Sequence, residues 1–246
     1  PYSYVAASSY IDTNIHGTLN VVQIAKEFGI KRVIHTSTSE TYGSAQFVPI
    51  TEDHPLVGQS PYAASKIGAD QIALSYWRSF NTPVTVLRPF NTYGPRQSAR
   101  AIIPTVITQI AAGIKKLNLG SLTPTRDFNF VKDTCNAFIE VALSDQTIGK
   151  TLNVASNFEI SIGETVNLIA DLMNVEVEVV LDNKRIRPEN SEVNRLFGDN
   201  HLIMKYTNWY PKYSGLEGFR NGLKITAEWF QISSNLRLYK SGKYMV

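Results

Sequence analysis

Hydrophobic and polar residues along the chain change period repeatedly, and the changes mark out its elements. The run from Thr13 to Gly29 reads as a helix closing on a glycine C-cap, and Lys31 to Thr38 follows as a β-branched strand. Pro49 to Gln59 reads as a loop. Ser60 suits a helix N-cap and Pro61 the first helical position, after which Ala69, Ile72, Ala73, Tyr76 and Phe80 recur at helical spacing. Val84 to Arg88 is a second short apolar strand. This alternation of helix and strand predicts a parallel α/β sheet with buried strands. From Asn91 the rhythm changes to a Gly/Pro-containing loop, a helix from about Ile102, the segment Thr123 to Phe130, and a helix over Asp133 to Leu143. Ser161 and Glu164 form a capping box opening a helix with Val166, Ile169, Ala170 and Met173 on one face. Trp209 to Tyr213 reads as a loop and Leu216 to Phe230 as a last helix, so the C-terminal part predicts a second lobe.

The 246 residues are 43% hydrophobic, enough to bury a core as one large domain or as a domain with a smaller lobe. The formal charge of +3 is mild, and the basic residues are dispersed, so nucleic acid is not the implied partner. Cys135 is the sole cysteine, which excludes an internal disulfide. Its apolar helical setting predicts a buried structural thiol, and the compartment reads as cytoplasmic. No stretch approaches the roughly 18 apolar residues of a membrane helix, and the N-terminus shows no basic and apolar signal pattern. His16, His35, His54 and His201 are scattered without ligand spacing, so no metal site is expected.

Candidate chemistry is concentrated in Thr36-Ser-Thr-Ser-Glu-Thr-Tyr-Gly43 and Tyr62-Ala-Ala-Ser-Lys66. On a helix, residues four apart share a face, so Tyr62 and Lys66 can enter one cleft. Tyrosine ordinarily loses its proton near pH 10, and an adjacent ammonium is expected to bring that value toward neutrality. Glu40, the one acidic residue of the upstream motif, offers a carboxylate base beside this proton relay.

Together with Asn14 and Arg88-Pro-Phe-Asn-Thr-Tyr-Gly-Pro95, these motifs resemble the extended short-chain dehydrogenase/reductases of the NAD-dependent epimerase/dehydratase family, over almost the whole chain. The likeness is greatest to 4,6-dehydratases that process nucleotide-activated N-acetylglucosamine toward legionaminic-type sugars. It implies a Rossmann-like parallel sheet, with residues 1–95 forming a partial NAD-binding domain. Residues 96–246 would form mainly a smaller α+β substrate lobe, with some segments returning to the first domain. It further implies a homodimer packed through helices near 11–28 and 60–80. By resemblance, Thr38 would bind the sugar C4 hydroxyl and Tyr62 would take its proton while the C4 hydride passes to NAD. Lys66 would hold the nicotinamide ribose, with Ser37 and Phe90 also at the cofactor. Glu40 would abstract the C5 proton as the C6 hydroxyl leaves. Ser39 and Asn91 would touch the substrate, and Arg126 and Arg187 its diphosphate. Many thymidine-nucleotide dehydratases have aspartate where Ser39 stands, which leaves the general acid unassigned.

Enzymes of this type begin with a strand and a Gly-rich turn whose amides hold the dinucleotide pyrophosphate. The chain contains no such segment: Gly215 to Gly222 superficially resembles one but follows a Trp/Tyr/Pro loop and reads as helix packing. The implied family order places about three βα units, roughly 70 to 90 residues, ahead of Pro1, so a truncated enzyme with its first strands missing is expected. A UDP-glucuronate decarboxylase, a 4-epimerase and a non-catalytic scaffold remain as alternatives. Glu40 counts against the epimerase, and the intact motifs count against the scaffold. The nucleotide, whether UDP, GDP or dTDP, is open.

Overall fold

The computed structural model describes residues 2–182, 185 and 193–239. Helix α1 (Ala7–Ile11) runs through a π-type segment, Asp12–His16, into α2 (Gly17–Glu27). Strand β1 (Val33–Thr36) then leads to a short 3₁₀ turn at Ser39–Tyr42. Helix α3 (Pro61–Phe80) starts where the sequence predicts: the Ser60 hydroxyl accepts from the Ala63 amide at 3.1 Å, and Pro61 occupies the first turn. It ends at Asn81, whose φ of 55° places it in the left-handed region that asparagine tolerates.

Strand β2 (Val84–Pro89) pairs in parallel with β1, Val33 opposite Val84 and Thr36 opposite Leu87. On its other side β2 takes β6 (Thr151–Val154), also in parallel. A strand from the second half of the chain thus completes this sheet, of order β1-β2-β6. Every residue of β2 except Pro89 is buried, as a central strand covered on both faces must be. This is the α/β, Rossmann-like arrangement, with β1 at an edge among the described residues.

The remaining elements build a separate layer. Strands β3 (Asn91–Tyr93), β5 (Thr125–Phe130) and β7 (Glu159–Ser161) form a mixed sheet in which β5 is central. Strands β4 (Lys116–Leu119) and β8 (Glu178–Leu181) make a parallel pair. Helices α4 (Ile102–Ala111), α6 (Ile162–Met173) and α8 (Gly215–Gln231) pack a core of Tyr93, Ile107, Phe128, Phe130, Val166 and Phe219. The capping box forms, with the Ser161 hydroxyl accepting from the Glu164 amide at 3.1 Å and the Glu164 carboxylate accepting from the Ser161 amide at 2.9 Å. Gly215 to Gly222 lies in α8, and a Cβ at Gly222 would stand 2.0 Å from the Tyr93 hydroxyl, so this glycine serves close packing.

One expectation fails here. Cys135 is exposed. Helix α5 (Val131–Leu143) buries Asp133, Thr134, Ala137 and Val141, which leaves Cys135 and Ile139 on its outer side. Another apolar stripe, Val21, Ile24 and Phe28, lies exposed on α2 and the residue that follows it. Among the described residues no helix is long and apolar enough to cross a membrane.

Candidate active site

Two neighbouring segments bring the motif residues together. β1 ends at Thr36, and the chain turns sharply enough that Thr38 caps the 3₁₀ turn, its hydroxyl accepting from the Glu40 amide at 3.3 Å. Helix α3 crosses beside this turn and presents Tyr62 and, one turn later, Lys66. The Thr38 side chain hydrogen-bonds the Tyr62 hydroxyl, and the Glu40 carboxylate lies close enough to act on it by charge. Thr38 and Tyr62 are therefore in contact, with the Glu40 carboxylate within electrostatic reach. The Tyr10 ring stands edge-on to Tyr62, with centroids 5.8 Å apart.

The electrostatics differ from the expected lowering of Tyr62. Burial raises its pKa above 10, and Glu40, Tyr10 and Asp70 raise it further; only the Thr38 hydrogen bond opposes them. Lys66 does not offset this. Its ammonium donates to the Thr36 carbonyl at 2.6 Å, and burial lowers its own pKa, partly countered by the charge of Asp70. The i,i+4 spacing puts the two residues on one face, and the hydrogen bond that the lysine makes there is to the carbonyl at the end of β1.

Tyr62 also lines a cleft of about 720 Å³ with Asn91, Gln97, Arg126, Phe128 and the start of α4. Three arginines line it, Arg100, Arg126 and Arg185, and among the described lining residues there is no carboxylate. Guanidinium forks match phosphate oxygens, so the cleft suits a diphosphate. Arg126 is largely buried and donates to the Thr125 carbonyl at 2.8 Å, which orients its head. Arg185 is braced by Asp182 at 3.1 Å. Arg187 lies outside the described residues. Arg100 and Arg185 were not anticipated from the sequence; the basic run around Lys184 to Arg187 was the available signal for the second.

Three expected ligand residues turn inward instead. The Ser37 hydroxyl is buried and donates to the Asp70 carboxylate at 2.8 Å, Ser39 is buried in the turn, and the Phe90 ring packs with Tyr42, Ile50 and Ala155. The Asn14 amide donates to the Ser65 hydroxyl at 2.9 Å, tying the π-type segment to α3. Among the described residues no group of His, Cys, Asp and Glu could hold a metal ion.

Comparison with known proteins agrees with this fold. The family model for GDP-mannose 4,6-dehydratase matches residues 1–222. A human dTDP-D-glucose 4,6-dehydratase is 31% identical over 239 residues, covering 93% of this chain and 65% of that protein. This chain thus spans a little under two thirds of that relative. A solved dTDP-glucose 4,6-dehydratase double mutant from Streptomyces venezuelae, with NAD bound, has a TM-score of 0.84 at 29% identity, covering 96% of this chain and 70% of that one. A UDP-N-acetylglucosamine 4-epimerase from Methanobrevibacter ruminantium has a TM-score of 0.83 at 28% identity, covering 94% and 72%. With the parallel sheet and the family match over residues 1–222 in agreement, the chain belongs to the GDP-mannose 4,6-dehydratase family of NAD-dependent epimerases and dehydratases.

Proposed function

We propose that the chain carries the catalytic and substrate-binding parts of a nucleotide-sugar 4,6-dehydratase that converts an NDP-hexose of the N-acetylglucosamine type to its 4-keto-6-deoxy form. The observation that carries this reading is that Tyr62, which hydrogen-bonds Thr38 and feels the charge of Glu40, lines a cleft together with three arginines. Thr38 holds the C4 hydroxyl and Tyr62 receives its proton. Once C4 is a ketone, the C5 hydrogen is acidic, and Glu40 is the carboxylate placed to take it as the C6–O bond breaks. With serine at position 39, the same carboxyl is the acid at hand to return that proton to the departing oxygen. Asn91 and Arg126, with Arg100 and Arg185, bind the diphosphate and sugar.

NAD, when bound, would supply the acceptor for the C4 hydride and the source from which that hydride returns to C6, so the overall conversion is redox-neutral. Tyr62 and Lys66 fit its nicotinamide end, because the Lys66 ammonium sits at the carboxyl end of β1, where ligands of such sheets bind, and retains donors for a ribose diol. The 246 residues include no Gly-rich turn for the pyrophosphate. Residues 1–95 together with β6 form the cofactor side of the cleft and most of 96–246 the substrate side. The exposed stripe Val21, Ile24 and Phe28 supports a homodimer through α2 and α3, in a cytoplasmic enzyme.

Mass spectrometry of products from UDP-N-acetylglucosamine, dTDP-glucose and GDP-mannose, using the full-length protein with NAD, tests the reading. The expected result is loss of one water from the first of these. A 4-epimerase is the second reading, favoured by the likeness to the epimerase structure; it predicts an isomer of unchanged mass, since inversion at C4 needs no base at C5.

A further inference from the structure

The 3₁₀ turn that carries Thr38 and Glu40 is short; the Ser37 amide before it donates to the Leu87 carbonyl of β2 at 2.7 Å and its Thr41 carbonyl accepts from the Val57 amide at 2.9 Å, while side chains set it against α3. Beneath it lies a buried ion pair. Asp70, on α3 four residues beyond Lys66, accepts from Arg88 Nε at 3.1 Å and Nη2 at 2.9 Å; the Asp70 side chain is fully buried and that of Arg88 is 4% exposed. Asp70 also accepts from the Ser37 hydroxyl at 2.8 Å, and its other oxygen meets His35 Nε2 at 3.1 Å. Ser37 is the residue immediately before Thr38. At the far end of the turn, Arg88 Nη1 donates to the Tyr42 hydroxyl at 2.9 Å, and that hydroxyl donates to Asn153 Oδ1 at 2.7 Å. One ion pair therefore grips the turn at both ends, Ser37 through the carboxylate and Tyr42 through the guanidinium.

We propose that the Asp70–Arg88 pair is a positioning clamp, which holds the turn bearing Thr38 and Glu40 in register with the α3 face bearing Tyr62. The clamp rests on the catalytic reading of those three residues, and it deepens that reading by naming what aligns them. Catalytic groups act within a narrow geometry, and a misplacement near 1 Å costs on the order of 100-fold in rate. The pins reach across strands β1, β2 and β6 as well as α3, so the turn inherits the rigidity of the sheet.

Ser37→Ala and Tyr42→Phe each remove one pin and leave the ion pair in place. In the full-length protein with NAD and its nucleotide sugar, each lowers kcat about tenfold, with KM and NAD affinity within about twofold, and Ser37→Thr restores most of the loss. A second readout needs no turnover: titration of Tyr62 by NMR of labelled tyrosine. Loosening the turn weakens both the Thr38 hydrogen bond, which lowers the Tyr62 midpoint, and the Glu40 charge effect, which raises it; the hydrogen bond is the larger influence, so the midpoint rises in both variants and returns in Ser37→Thr. Tyr10 and Asp70, the other groups acting on Tyr62, are unchanged in all three. If the wild-type protein turns over no nucleotide sugar, the dehydratase reading has failed and the titration alone decides the clamp. Unchanged kcat and midpoint with a lowered Tm would show that the pair serves stability only. A weaker NAD affinity at constant kcat in Ser37→Ala would make Ser37 a cofactor contact and overturn the clamp.

Discussion

Replacing Glu40 with glutamine separates the two halves of the proposed reaction. The amide preserves shape and cannot accept a proton, so removal of the C5 hydrogen loses its base. Such groups contribute about 100- to 10,000-fold, which corresponds to about 2.7 to 5.4 kcal/mol of barrier at about 1.36 kcal/mol per tenfold. The structure adds a second effect of opposite sign on the first half. The Glu40 charge is one of the terms that raise Tyr62 above its ordinary pKa. Neutralising it favours the phenolate, lowers the Tyr62 pKa, and moves the acid limb of the first step to lower pH. Proton removal from the C4 hydroxyl is then preserved or improved while dehydration stops. The expected signature is reduced nicotinamide that accumulates in a single turnover, read by its absorbance, with dehydrated product falling by the stated factor in mass spectrometry. Dehydrated product at the wild-type rate would refute Glu40 as the base. An unchanged acid limb would refute its proximity to Tyr62.

Arg126→Gln removes a guanidinium from the cleft; at about 1.5–3 kcal/mol for charge-assisted hydrogen bonds, KM for the nucleotide sugar rises about 10- to 150-fold while kcat changes little, as steady-state kinetics would show. Asp70→Asn leaves Arg88 buried without its counter-charge and costs about 3–5 kcal/mol in denaturant unfolding. Burial pushes the Asp70 carboxyl up, but the His35 hydrogen bond, the Arg88 charge and the Ser37 hydroxyl outweigh it and hold it below the ordinary value. Its stabilising contribution is therefore present above the unfolded pKa near 3.9 and is lost as pH falls through the lower folded value. The wild-type protein accordingly loses more stability on acidification than the Asp70→Asn variant does. Gly222→Ala forces a methyl group to 2.0 Å from the Tyr93 hydroxyl; overpacking of about 1–3 kcal/mol exceeds the roughly 1 kcal/mol gain in helix propensity, and calorimetry should show a lower Tm.

What the sequence determined by itself is local. Ser60 and Pro61 start α3, Ser161 and Glu164 start α6, and the four-residue spacing of Tyr62 and Lys66 sets both on one face, because each depends on atoms within a single helical turn. The β-branched run before Thr38 and the apolar run at Val84 likewise carry enough pattern to mark neighbouring strands of a parallel sheet. Tertiary structure decided the rest. Whether Ser37, Ser39 and Phe90 face a ligand or the core depends on what packs beneath the turn, and Ser37 finds its partner 33 residues away. Tyr42 meets Asn153 across 111 residues, and Arg88 meets Asp70 across 18, so no local period announces either contact. Cys135 is exposed, since only one side of α5 has a sheet to cover and Cys135 lies on the other. The acidity of Tyr62 was set in the same way: the nearby lysine is visible in the sequence, but desolvation and the Thr36 carbonyl that takes up the lysine's charge exist only once distant segments have packed.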